Sequence, residues 1–267
     1  MKQTTQTERL DKILSNSGFG TRKDVKRLVR SGEVLVNGET VKNPEFHVSI
    51  ENDTLCVEGV DVKIKWHAYF MLNKPAGYIC STRSGAYPTV FDLLEESDRR
   101  TYLGGDLGTI GRLDADTEGL LIITTDGDLN HRLTSPKWRV PKTYLVHLAN
   151  EVDEQERESY VADLARGVHI EAEANAEAAD CLPAQLEWCD VQENDKTAAA
   201  VCKITVYEGK FHEVKRLFAA LGNEVTYLKR IRMNRLFLDE SLACGQYREL
   251  TKEEFDLPTS ASFSPFT

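Results

Sequence analysis

Apolar positions in the first fifty-odd residues recur with two periods. Leu10, Ile13 and Leu14 have helical spacing, and Gly18-Phe19-Gly20 ends that helix. Thr21 is placed to cap a second helix running to about Arg30, which Ser31-Gly32 stops. Val25, Leu28 and Val29 form one face of it, and Lys23, Lys26, Arg27 and Arg30 form another that is wholly basic. Val34-Leu35-Val36, Asn37-Gly38 and Glu39-Thr40-Val41 then predict a hairpin closed by a type I′ turn. Residues 59–66 read as a polar connector with alternating Val62 and Ile64.

Beyond the connector, Tyr69-Phe70-Met71-Leu72 predicts a buried strand ended by Asn73-Lys74-Pro75-Ala76-Gly77. Extended structure resumes at Tyr78–Thr82, and Val90–Leu94 begins a short helix. A Gly-rich loop, Gly104–Gly108, feeds Gly111-Arg112-Leu113-Asp114-Ala115-Asp116-Thr117-Glu118-Gly119. Leu120–Ile123 predicts a buried strand, and Asp126-Gly127 a hairpin turn after it. A helical segment ends at His131–Pro136, Lys142–Leu148 alternates as a strand, and Glu151–Arg166 has a helical pattern. Glu171–Asp180 is read as part of a solvent-facing acidic excursion. Ala199–Tyr207 is a strand, followed by a helix over His212–Leu221 with Val214, Leu217, Phe218 and Leu221 on its apolar face. On that helix Lys215 flanks the buried face and Arg216 points nearly opposite it. Residues 255–267 read as a flexible tail.

The 267 residues, 41% hydrophobic and 28% charged, suit a soluble globular protein of one large or two ordinary domains. No apolar run approaches the roughly 18 residues of a membrane span, and the polar start Met1–Glu8 is unlike a secretory signal. Six cysteines without a CxxC pair read as reduced thiols of a cytoplasmic protein, with no metal site expected. The net charge of −10 argues at first against nucleic acid, but the distribution reverses this. Residues 151–195 carry a local −12, whereas 9–30 and 203–235 each carry +5. Local patches decide where phosphate binds. Arg216, Lys229, Arg230, Arg232 and Arg235 are therefore candidates for backbone phosphates, and Lys74 is counted with them.

By residue type alone Asp114 and Asp116 are equal candidates, either turn formers or reactive groups on a loop before a core strand. The Gly104–Gly111 loop lacks the Lys-Ser/Thr that a phosphate-cradling nucleotide enzyme would place after it.

Arg9-Leu10-Asp11-Lys12, Gly20-Thr21-Arg22-Lys23 and Val36-Asn37-Gly38 resemble the S4 RNA-binding module. Tyr69–Tyr78, Gly111-Arg112-Leu113-Asp114 with Thr117, Gly119 and Leu120, Lys142-Thr143-Tyr144-Leu145-Val146, and Glu208–Asn223 together resemble bacterial rRNA pseudouridine synthases of the RsuA family. The resemblance implies an α+β protein: a small S4 domain over 1–58, a linker over 59–66, and a mixed, mainly antiparallel-sheet catalytic domain over 67–254. It implies isomerisation of a uridine in 16S (small-subunit) rRNA, free or in its assembling ribonucleoprotein particle, by a monomer without a cofactor. A 23S rRNA uridine, or a non-catalytic role in ribosome assembly, is the alternative.

On the same resemblance the catalytic aspartate matches Asp114, the active-site tyrosine Tyr144 and the basic partner of the aspartate Lys215. Arg112 matches a residue suited to holding the backbone of a flipped nucleotide. The helix face of Lys23, Lys26, Arg27 and Arg30, unrelieved by acids, by itself favours tracking phosphates. The chemistry needs a carboxylate in a dry pocket, a cation to keep it charged and an aromatic face for the extruded base. Asp116 and Thr117 are expected only to shape the turn. One departure stands out: the family usually has Gln after the motif's His, and this chain has Glu213.

Overall fold

The structure is a computed structural model that describes residues 7–62, 65–83, 85–100, 102–103, 105–174, 176–190 and 198–254. Ile64 of the expected connector, Gly104 of the Gly-rich loop and the expected tail lie outside the described residues. The chain divides into two compact units. The first contains Met1–Ala68, Leu94–Gly108 and Thr124–Asp126, and the second Tyr69–Leu93, Thr109–Ile123 and Gly127–Thr267.

The elements of residues 7–62 are β1 (Thr7–Arg9), α1 (Leu10–Asn16), α2 (Arg22–Ser31), β2 (Val34–Val36), β3 (Glu39–Thr40), β4 (His47–Ser49), β5 (Leu55–Val57) and β6 (Val60–Val62). Leu10, Ile13 and Leu14 of α1 and Val25 and Val29 of α2 pack with Val34, Val36, Val48, Leu55 and Val57 into one core. Thr21 and Asp24 form a reciprocal capping box at the start of α2, and Gly32 closes it in the left-handed conformation. Asn37 and Gly38 have φ of 52° and 81°, as a type I′ turn requires. Part of the expected connector is ordered: β6 pairs with β5 at the edge of a four-stranded antiparallel sheet. Lys23, Arg27 and Arg30 are exposed on α2, and Lys26 is half-buried.

The rest of the chain supplies β7 (Tyr69–Lys74), a 3-10 turn (Val90–Leu93), α3 (Glu96–Arg100), β8 (Gly108–Ile110), β9 (Glu118–Thr124) and α4 (Gly127–Thr134). Then come β10 (Lys142–Leu148), α5 (Glu154–Arg166), β11 (His169–Ile170), β12 (Ala179–Asp180) and β13 (Gln185–Cys189). Last are β14 (Ala200–Val206), α6 (Glu213–Ala220), β15 (Val225–Met233), β16 (Leu236–Phe237) and β17 (Tyr247–Glu249). The large sheet runs β13-β14-β10-β15-β9-β7-β17, with β16 on β15 and β8 on β9. β10 pairs antiparallel with both β14 and β15, while β15 and β9 are parallel. Met71, Ile110, Leu120, Ile122, Leu129, Leu133, Val140 and Met233 form a core against this sheet. No helix among the described residues is long and apolar enough to cross a membrane.

Two local expectations are corrected. Asp126-Gly127 closes no hairpin; Gly127 opens α4. β9 has a parallel partner in β15, and parallel strands cannot be joined by a tight turn. Tyr78–Thr82 is not a strand, and only an isolated bridge joins Ile79 to Thr89.

The parallel crossing has one strict requirement. Gly119 pairs with Arg230 at a φ of 100°, and a Cβ there would lie 2.3 Å from the Arg230 carbonyl oxygen. Gly119→Ala is therefore expected to destabilise the protein by on the order of 3 kcal/mol, from backbone strain plus overpacking. Urea unfolding measures this, and a loss under about 0.5 kcal/mol would contradict the close approach.

Candidate active site

The loop 111–117 and the strands β10 and β15 enclose a cleft of about 580 Å³. Asp114 lies in its wall with Arg112, Tyr144, His212, Glu213 and Arg230. The loop is held from below by Lys74. This ammonium is fully buried, and its Nζ donates to the carbonyls of Pro75, Asp114, Ala115 and Thr117 at 2.8–3.3 Å. Burial lowers its pKa. Lys74 therefore contacts no RNA phosphate, contrary to the expectation; it organises the loop. Gly77 N–H donates to Ala115 O at 2.8 Å, and Thr117 N–H to Asp114 O at 3.1 Å, which close the turn.

An ammonium and an imidazole face Asp114. Lys215 Nζ stands 3.7 Å from one carboxylate oxygen, and His212 Nε2 3.8 Å from the other. Lys215 makes its hydrogen bonds to Asp116, at 2.7 and 2.8 Å. Burial alone would raise the Asp116 pKa, but the Lys215 ammonium outweighs it and holds the carboxyl below its ordinary value. Asp116 thus does more than shape a turn: it anchors the lysine beside Asp114. His212 begins α6 in the left-handed conformation, with φ of 48°. Its Nδ1 is 3.1 Å from Glu173, and the Phe211 ring stacks on it at 3.8 Å. A positive φ at a non-glycine residue is costly and concentrates at functional positions. His212 was not a candidate from the sequence, where it served only as a motif marker.

Tyr144 is delivered by β10, whose register against β15 shifts between Thr143 and Tyr144; such an irregularity re-aims a side chain. The ring is buried, and burial pushes its phenol pKa up. Arg230 lies beside it, 1% exposed, with Nε donating to Leu120 O at 2.7 Å and Nη2 lacking any partner among the described residues. It cannot track surface phosphates as expected, because the β9–β15 crossing buries it in the cleft wall. Arg216 is also corrected. Its guanidinium is buried and donates to the carbonyls of Glu171, Glu177 and Phe211 at 2.5–3.1 Å. The β11–β12 excursion covers the helix face that its wheel position left to solvent. Arg112 remains exposed at the cleft.

The family model for RNA pseudouridylate synthase matches residues 68–220, and the S4 domain model matches 8–55. The chain belongs to the RNA pseudouridine synthase family. It is 43% identical over 249 residues to an uncharacterised RNA pseudouridine synthase of Bacillus subtilis, YtzG, covering 93% of this chain and 97% of that one. It is 42% identical to ribosomal small subunit pseudouridine synthase A of Vibrio parahaemolyticus (93% and 98% covered) and 39% identical to that of Escherichia coli (92% and 97%). A crystal structure of a pseudouridylate synthase superposes with a TM-score of 0.60 at 38% identity, covering 94% of this chain and 99% of that one. The protein is an isomerase that converts uridine to pseudouridine in RNA, and it binds RNA through its S4 domain.

The cleft wall of the synthase also carries a cluster of titratable groups. Glu213 is buried, its Oε2 accepts from Lys210 N–H, and its Oε1 has no partner among the described residues. Burial and the nearby Glu208 push its pKa up to about 7. Burial and the Arg230 charge bring the Lys142 ammonium, which donates to Val140 O and Glu208 O, down to about 8. Glu208, Glu213 and Cys181 could together hold a metal by spacing, within 4.8 Å of one another. The donor set fits poorly. Glu208 already binds Lys210 Nζ and Leu182 N–H, and burial holds the Cys181 thiol protonated, near 11.

The raised Glu213 pKa fixes a sign. The folded protein keeps this proton up to about pH 7, whereas the unfolded chain releases it near 4.5. The favourable neutral form thus costs nothing at low pH and an increasing amount as pH rises from 4.5 to 7. Glu213→Gln is expected to gain stability relative to the native protein as pH rises through that window, by on the order of 2–3 kcal/mol at its plateau. Thermal melts at several pH values measure it. An offset independent of pH would contradict a neutral, buried Glu213.

Proposed function

We propose that this synthase isomerises a uridine in 16S rRNA, free or within the assembling small subunit, and that Asp114 is its acting carboxylate. The observation that carries the reading is the cleft itself. One carboxylate faces the Lys215 ammonium and the His212 imidazole, beside a buried tyrosine ring and an unpaired guanidinium donor. A protein that only binds RNA has no need of that constellation. The small-subunit substrate is supported by the two full-length relatives named for that reaction.

The reaction breaks the C1′–N1 bond of uridine, turns the base and forms C1′–C5. The C5 proton is lost and N1 gains one, so nothing is oxidised or reduced. Reaching that bond requires the nucleotide to leave its stack. Tyr144 offers an aromatic wall for the extruded ring, Arg112 a cation at the cleft for the neighbouring backbone, and Asp114 the carboxylate that acts at the base or the ribose. Lys215, tethered by Asp116, is a positioning residue that favours the charged carboxylate. On the S4 domain Lys23, Lys26, Arg27 and Arg30 hold phosphates elsewhere on the RNA.

The purified synthase is expected to release tritium from C5-labelled uridine of 16S but not 23S rRNA. Asp114→Asn should reduce release by on the order of 10³-fold or more, with RNA affinity changed less than about threefold. Native-rate release by the Asn variant would remove Asp114 from the role. Release from 23S alone would move the substrate to the large subunit.

A further inference from the structure

The segment between α4 and β10 carries a feature that the chemistry at Asp114 does not use. Ser135 and Pro136 line the cleft, and the chain then makes a 3-10 turn over Pro136–Trp138. Trp138 N–H donates to Ser135 O at 3.1 Å, and Arg139 N–H to Pro136 O at 3.3 Å, with Arg139 left-handed at φ 44°. This tight turn holds Trp138 two residues from the cleft lining and leaves it 51% exposed. A singly exposed apolar side chain is ordinary by itself, so what singles out Trp138 is its setting.

Charge identifies the partner. Lys137 and Arg139 flank the indole in sequence, both exposed, and Lys137 Nζ sits 5.6 Å from the ring centroid. Arg132, one turn back on α4, is exposed too. None of these three cations is within ion-pair distance of a carboxylate among the described residues, in a chain of net charge −10. An exposed aromatic face among unpaired cations suits single-stranded nucleic acid, whose bases stack while its phosphates meet the charges. An apolar protein partner would have no use for the three cations.

We propose that Trp138 is a stacking platform for an unpaired nucleotide flanking the target uridine, with Lys137 and Arg139 on the adjoining phosphates. The platform contacts a neighbour of the target and not the reacting base. It thereby adds affinity for substrates whose target lies in single-stranded or loop RNA, and none for a fully paired site. The inference rests on RNA as substrate but not on which RNA is modified.

The test uses the full-length enzyme and an unpaired RNA oligonucleotide with 2-aminopurine on either side of a uridine. Stacking on Trp138 should quench one of the two 2-aminopurines. Trp138→Ala should abolish that quenching and raise Kd, and KM for turnover, about tenfold with kcat within about twofold. Trp138→Tyr should restore most of both, and Tm should stay unchanged because the side chain is exposed. Equal quenching and affinity in the Ala variant would overturn the platform, whichever RNA is turned over. Trp138-dependent binding without tritium release from 16S rRNA would leave the platform standing and overturn the substrate assignment alone.

Discussion

The parallel pairing of Gly119 with Arg230 is the contact on which the cleft depends. It brings β9 and β15 so close that no side chain fits at position 119. That approach places the loop 111–117 directly before the sheet and lets the Arg230 side chain turn back to Leu120 O. β10 pairs with the other edge of β15, so the position of Tyr144 follows from the same strand. Lys74 adds the second fixed point by collecting the carbonyls of the loop. The candidate carboxylate therefore sits on a loop, yet on one whose second half is pinned by the buried Lys74 and leads into a strand held by the buried Arg230.

Those cations are costly to bury, and their arrangement shows how the cost is divided. Lys74 and Arg216 are satisfied by carbonyl oxygens and act as structural posts. Arg230 and Glu213 each keep one buried atom without a partner among the described residues, both in the cleft wall. An unmade hydrogen bond of this kind costs roughly 1–3 kcal/mol. Such a deficit is offset where a water, an ion or a ligand atom supplies the missing partner. Lys142, near pH 8, and Glu213, near pH 7, change charge within the same range of pH, so the electrostatics of the wall are sensitive around neutrality.

Much of this was legible from the chain. The capping box at Thr21, the Asn37-Gly38 turn and the strands around Leu120, Tyr144 and Ile204 follow from local pattern and appear where the pattern put them. Asp114, Tyr144 and Arg112, matched by motif resemblance, line a single cleft, and Lys215 approaches Asp114 from outside that lining. The errors share one cause. Lys74, Arg216 and Arg230 look like surface cations in the sequence because composition treats every cation alike, and a helical wheel sees one helix only. Arg216 is buried by a segment some forty residues upstream, and Arg230 by a strand more than a hundred residues upstream. A visible hint existed for Lys74, which ends a strand that begins with four apolar residues, Tyr69–Leu72. His212 and Glu213 were missed as site residues because their left-handed backbone and buried carboxyl are tertiary properties.

The central claim is that this cleft receives the target uridine against Asp114. The most direct measurement is a crystal structure of the enzyme with an RNA whose target uridine carries fluorine at C5, where no proton can be lost and turnover stalls. The nucleotide is expected out of its stack, its base against Tyr144, with an Asp114 oxygen within about 3.5 Å of the ribose or the base, or bonded to it. A uridine held elsewhere on the protein, or a cleft still empty with the RNA bound, would contradict it.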